Sequence, residues 1–195
     1  MEINTSRCFN NASANSQPIF AQYLKHNKDP KYAVWQINVY PTTTYAVQVL
    51  TTLIYAWTSD SVFRGARWPP ILVGGSLNII AYTSLAVWDI PTGWKWASYI
   101  LSGAGGGLSG ICMAWAHEIC SDDNEERALV IASMNEMAYV VQAWLPLIVW
   151  QQVDAPQYRK GYITVTCLSV LMILTTFSIR VLHKRQIRRG LDGAT

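Results

Sequence analysis

The 195 residues hold only four cysteines and three histidines, and neither set is spaced for a metal or a disulfide framework. Cys8, Cys112, Cys120 and Cys167 are scattered along the chain. His117 and Glu118 begin an H-E-x-x-H pattern, but Ser121 stands where the second histidine belongs, so the zinc-protease motif is absent. No Ser/His/Asp or Cys/His set emerges from the local sequence, and His26, His117 and His183 all lie outside the apolar segments. The first forty residues lack the apolar core of a signal peptide. The formal net charge of +3 forms no single basic stripe, which argues against nucleic acid as a partner. These absences leave no enzyme chemistry and no cofactor to assign. A membrane enzyme built on His117, Glu118 and Cys120 remains a distant alternative.

Long apolar runs, by contrast, dominate the chain. Five of them, at 41–57, 69–88, 96–115, 128–150 and 162–181, are each about 17 to 23 residues long, and about 20 suffice to cross a bilayer. Trp57, Trp68, Trp88, Trp94, Trp96, Trp115 and Trp150 fall at or beside the ends of these runs, where an indole buries its ring and keeps its N–H hydrated. The expected fold class is therefore all-α, a polytopic bundle of about five transmembrane helices in contact with the lipid bilayer. Residues 1–40 form a polar head, 41–182 the membrane part and 183–195 a basic tail.

Basic residues orient such a bundle. Arg180, Lys184, Arg185, Arg188 and Arg189 make the tail the densest group, which places the C-terminus in the cytoplasm. With five spans the head then lies outside, the loops 59–67 and 117–127 inside, and 89–95 and 151–160 outside. Two sequons in the head, at Asn4 and Asn11, accept glycan only in that orientation, and chance occurrence is the competing reading for each. Lys25, Lys28 and Lys31 before the first span compete with Arg64 and Arg67 after it. That conflict, with the odd span count, predicts a longer chain whose earlier helices set the topology.

Polar residues inside the runs are the candidates for function. In the fourth run Asn135, Tyr139 and Gln142 recur at helical spacing with Glu136 on their flank. Glu136 lies about 12 Å along the helix from its cytoplasmic end, where an unpaired carboxylate costs roughly 3 kcal/mol or more. A substrate or proton site in a hydrated cavity is one reading of this stripe. Hydrogen-bonding glue between helices is the other. In the first run Thr44, Gln48, Thr51 and Tyr55 form a second stripe opposite Val47, Leu50 and Ile54, and Asn78 with Tyr82 adds a weaker third. Threonines bond back to their own helix, so Gln48 and Asn78 carry that argument.

The third run contains Gly103/Gly107 and Gly106/Gly110, both G-x-x-x-G pairs that predict close helix contact. A phosphate loop is excluded, since no Lys-Ser or Lys-Thr follows and the G-x-G-x-x-G pattern fails at Leu108. Acidic residues in 122–126 suit the N-terminus of the fourth helix.

Several longer motifs share one resemblance: Tyr45-Ala46-Val47-Gln48-Val49, Arg67-Trp68-Pro69-Pro70-Ile71, Gly105-Gly106-Gly107-Leu108-Ser109-Gly110, Met113-Ala114-Trp115-Ala116, Glu125-Glu126-Arg127-Ala128, Gln142-Ala143-Trp144-Leu145-Pro146 and Tyr158-Arg159-Lys160-Gly161. Across about residues 21–186 the chain resembles the C-terminal part of fungal major facilitator transporters of the anion:cation symporter group, the allantoate and pantothenate permease type. The resemblance implies twelve spans in two halves with a midplane site between them, and matches this chain to the last five. It implies proton-coupled transport of a small organic anion, with the plasma membrane as the default location. Asp60, Arg64 and Arg67 match a cytoplasmic loop motif that latches the two halves, although Ser61, Val62 and Phe63 alter it here. The first half and the seventh helix would lie outside this sequence. The path candidates are Gln48, Asn78, Asn135, Glu136, Tyr139 and Gln142. The rival expectation is a non-transporting membrane fragment that joins a related full-length carrier through its glycine-rich third span.

Overall fold

The computed structural model describes residues 17–27, 31–121 and 123–192, and among these every regular element is helical. The head contributes two short helices, α1 (Gln17–His26) and α2 (Val34–Val39). The rest of the chain comprises α3 (Thr42–Ser61), α4 (Trp68–Val87), a third segment divided into α5 (Thr92–Leu101), α6 (Gly103–Gly106) and α7 (Leu108–Ile119), then α8 (Asn124–Val149) and α9 (Arg159–Asp192). All five expected runs are thus present as helix. Three of them, α4, α8 and α9 as far as Leu182, are individually long and apolar enough to cross a membrane. The 20 residues of α3 reach about 30 Å, the same thickness, but its threonines and Gln48 dilute its hydropathy. The third segment covers 92–119 with breaks at Ser102 and Gly107.

Local sequence explains the helix starts. Pro69 and Pro70 occupy the first turn of α4, where a missing N–H costs nothing and φ is already set. The Asp123 side chain accepts a 2.8 Å hydrogen bond from the Glu125 backbone N–H, and Glu125 and Glu126 sit in the first turn of α8 against the positive end of its dipole. The αL pair Arg64 and Gly65, with φ of 51° and 87°, reverses the chain between α3 and α4.

Small residues set the packing, as expected where lipid is as apolar as leucine and burial alone does not drive association. α4 and α9 lie along each other. A Cβ on Gly75 would stand 3.0 Å from Ile173 Cγ1 and 3.1 Å from Met172 Cε, so the missing side chain lets the helices close up. Toward the tail end, Tyr55, Ile71, Leu108, Ile111 and Met172 form one core. Toward the head end the core is aromatic: Tyr99 and Tyr162 share a 2.7 Å hydroxyl hydrogen bond, and Tyr82 and Tyr158 are buried beside them.

Within the head, α1 carries an apolar face. Ile19, Phe20, Tyr23 and Leu24 form one stripe of α1 and are buried in the aromatic core. Phe20 stacks on Tyr99 at 4.8 Å and meets Trp96 edge-on at 5.4 Å. Tyr158 Oη also donates to Gln22 Oε1. At 10 residues α1 is too short to be stable by itself, and its stability comes from this docking. The segment thus closes one end of the bundle. The sequons at Asn4 and Asn11 lie outside the described residues.

A candidate substrate path

α3 is sided, although Val47 of the expected apolar face is half-buried like Gln48 and Thr51. Leu50 and Ile54 are exposed, whereas Thr44 and Tyr55 are buried and Gln48 and Thr51 are half-buried. Thr51 and Thr52 donate to the carbonyls of Val47 and Gln48, at 2.8 and 2.7 Å, so their hydroxyls are spent within the helix. Thr44 Oγ1 reaches further and donates to the Tyr99 carbonyl at 3.4 Å.

This polar face lies on the glycines. A Cβ on Gly103 would stand 2.3 Å from the Thr44 carbonyl oxygen, one on Gly106 2.7 Å from Gln48 Cδ, and one on Gly107 2.9 Å from Thr52 Oγ1. Asn78 approaches from α4, with Nδ2 and Oδ1 both 2.3 Å from the place of a Gly105 Cβ. The glycine run is therefore a groove, with Gln48 against one side and Asn78 against the other. Gly105 belongs to neither G-x-x-x-G pair, and pair spacing alone did not reveal it. Gly110 departs from the expectation: it is exposed, and its nearest neighbour is Thr52 Cγ2 at 4.0 Å.

Two roles separate in this arrangement. Asn78 is 1% exposed and its Oδ1 accepts no hydrogen bond among the described residues, so it is enclosed between α4 and α6 rather than facing a path. Gln48 instead lines an open cleft of about 330 Å³ with Tyr45, Val49, Thr52 and Leu53.

α8 behaves differently. Met134 and Ala138 are its buried residues at mid-length, while Asn135, Glu136 and Tyr139 are exposed and Gln142 is half-buried. Asn135 borders a cleft of about 480 Å³ between α7 and α8 that also meets Met113 and His117. α8 packs chiefly on α7 and α9, whereas Gln48 and Asn78 meet on the glycines of the third segment.

At the tail end Arg67 Nη1 lies 2.5 Å from Asp60 Oδ1, and Nη2 lies 2.8 Å from Glu118 Oε1. Arg67 Nη1 also donates to Ser59 Oγ at 3.2 Å. The Glu118 hydrogen bond is the main reason that the Arg67 pKa is raised. Asp60 and Arg67 thus satisfy each other within one chain, and Glu118, which the sequence offered only as half of a broken metal motif, completes the set. Arg64 takes no part in it. Cys120, beside the same end, has its thiol pKa raised, first by burial and then by Glu126.

Comparison with known proteins covers nearly all of this architecture. The chain is 29% identical over 178 residues to the pantothenate transporter liz1 of Schizosaccharomyces pombe, a match spanning 90% of this chain and 34% of that protein. It is 28% identical over 174 residues to the MFS transporter PfmaC of Pestalotiopsis fici, covering 88% and 32%. The chain is homologous to fungal major facilitator transporters. A third relative, the pantothenate transporter FEN2 of Saccharomyces cerevisiae, is 25% identical over 177 residues, covering 91% and 33%. The chain spans about a third of the length of the curated relatives it matches. No family model matches it. No solved structure matches it either.

Against this homology the glycine groove has a clear function within the fold. Thr44, Gln48 and Asn78 already fill it. Gly103, Gly105, Gly106 and Gly107 are thus covered by this chain's own α3 and α4, whereas Gly110 stays open.

Proposed function

We propose that this chain forms part of a secondary transporter for a small carboxylate, coupled to protons and working at the plasma membrane. The observation that carries the reading is the uncovered polar face of α8, considered with the transporter homology. Asn135, Glu136 and Tyr139 are exposed on a helix long and apolar enough to cross a membrane. Left against lipid, the Glu136 carboxylate would cost roughly 3 kcal/mol or more. A face of this kind is stable when it borders a hydrated cavity, and a cavity between two helical halves is what a major facilitator architecture supplies.

In this reading Gln48 offers amide donors to the carboxylate of the cargo from the cleft beside α3. Glu136, with Asn135, Tyr139 and Gln142 along one stripe, carries the proton. Asn78 supports the path indirectly by fixing α6 against α4. Two of the relatives are named as pantothenate transporters, and pantothenate is a carboxylate, which makes it the first cargo to try.

The test is uptake of labelled pantothenate by cells that lack their own carrier and express the full-length protein containing this sequence. Saturable uptake that rises as external pH falls is expected. A protein that reaches the cell surface but moves neither pantothenate nor competing carboxylates would overturn the proposal.

A further inference from the structure

Trp68 and Trp115, at the start of α4 and near the end of α7, form with Ile119 the apolar wall of a cleft of about 300 Å³ at the tail end of the bundle. Its basic side comes from α9. The Arg180 guanidinium lies 3.6 Å from the centre of the Trp68 ring, and Lys184, one helical turn further on, lines the same cleft. α9 continues as helix through the basic tail, so these cations are held in register with the bundle.

Their charges are not internally balanced. Arg67 also lines the cleft, but Asp60 and Glu118 both engage it. Glu118 itself lines the cleft, and with Asp60 it exceeds Arg67 by one negative charge, which Arg180 and Lys184 together reverse to a net positive charge of one. Neither Arg180 nor Lys184 enters an ion pair among the described residues. A guanidinium held over an indole ring by the cation–π attraction can still donate hydrogen bonds from its N–H groups.

A ligand for this place combines an anionic phosphate with an apolar body, because aromatic rings and basic groups line one opening at the end of membrane helices. We propose that the cleft binds the phosphate headgroup of an acidic membrane lipid. Basic pockets between helices on the side facing the cytoplasm suit such headgroups, and the positively charged tail orients this end toward the cytoplasm. The inference is independent of the cargo.

The test uses the full-length protein in a neutral detergent, with lipid binding followed by native mass spectrometry and by thermal melting. Short-chain phosphatidylserine, short-chain phosphatidylcholine and inorganic phosphate are the three probes. Phosphatidylserine should bind in preference to phosphatidylcholine and raise the melting temperature. Arg180→Gln and Lys184→Gln should each weaken phosphatidylserine about fivefold without altering the phosphatidylcholine baseline. Lys184 is exposed, so its variant tests the site even where Arg180→Gln disturbs the Trp68 contact. Equal binding of the two lipids, or a preference unchanged in both variants, would overturn the proposal. Saturation by inorganic phosphate as tight as by the acidic lipid would overturn the lipid assignment in favour of a free anion.

Discussion

Arg67, in the turn between α3 and α4, holds Glu118 at the end of α7 across 2.8 Å. The same guanidinium takes Asp60 at 2.5 Å, so one side chain ties three helix ends together. Arg67 is largely covered, whereas Asp60 and Glu118 are 63% and 45% exposed. Solvent and salt screen both carboxylates. Asp60→Asn and Glu118→Gln should therefore each cost less than about 1 kcal/mol, and Arg67→Ala about 2 kcal/mol because it removes both pairs and the Ser59 hydrogen bond. Thermal melting at rising salt checks this. Equal costs for all three variants, insensitive to salt, would contradict the shared pairing.

The glycine groove predicts a contrast between neighbouring positions. A Cβ on Gly105 meets the Asn78 amide at 2.3 Å, and Asn78 is enclosed, so Gly105→Ala forces helices apart and should cost about 1–3 kcal/mol. At Gly110 the nearest atom is 4.0 Å away, so Gly110→Ala should be neutral or stabilise by up to about 1 kcal/mol through helix propensity. Melting of the two variants, side by side, distinguishes a groove from a uniformly glycine-dependent helix. Similar losses at both positions would argue for the latter.

Periodicity made the helices legible because a membrane span is a long signal. The run that begins at Pro69 matches α4, and Thr44 and Tyr55 of the first-run stripe are buried while Gln48 and Thr51 are half-buried. What remained hidden was contact between distant segments. Nothing local to Phe20 or Tyr23 announces Tyr99 or Trp96 as partners. Gly161 is another case: a Cβ there would stand 2.2 Å from Trp150 Cζ3, so Trp150 lies on the glycine, a contact no helical period encodes. The fourth-run stripe was readable as a stripe, but whether it faced the bundle or away from it depended on packing, and α8 turns it outward.

The docked head segment predicts a local opening. Phe20 is 1% exposed and fills the space between Tyr99 and Trp96. Phe20→Ala should weaken the docking of α1 by about 3–5 kcal/mol. Since α1 is not stable when undocked, the expected readout is rapid proteolytic cleavage between α1 and α2, with the membrane helices still protected. Unchanged protection of the segment would refute the role of the aromatic core in holding it.

The same seam should respond to alkali. Burial is the main cause that raises the Tyr158 pKa, with Asp154 adding to it, and burial followed by Tyr32 raises that of Tyr23. The folded state then keeps protons that the undocked chain releases near the ordinary tyrosine value of 10.0. The contribution to docking is complete below that pH and is lost as pH rises through the higher folded values. Tyrosinate absorbance and protease sensitivity of α1 should rise together above about pH 10. Ionisation of these tyrosines without release of α1 would count against the linkage.

Glu136 separates transport from helix adhesion. A residue that glues helices costs stability when truncated, whereas an exposed one on an uncovered face costs less than about 0.5 kcal/mol. Glu136 is exposed on α8, and the buried side chains of that helix at the same height are Met134 and Ala138. Glu136→Ala and Glu136→Gln should therefore leave the melting temperature and surface abundance unchanged. If the carboxyl carries the coupled proton, Glu136→Gln removes the pH dependence of uptake, because an amide cannot release a proton between one side of the membrane and the other. Uptake measured across a range of external pH, normalised to surface abundance, decides the matter. A flat profile supports the proton role. A wild-type profile in Glu136→Gln removes that role, and a large loss of stability in Glu136→Ala returns the residue to packing.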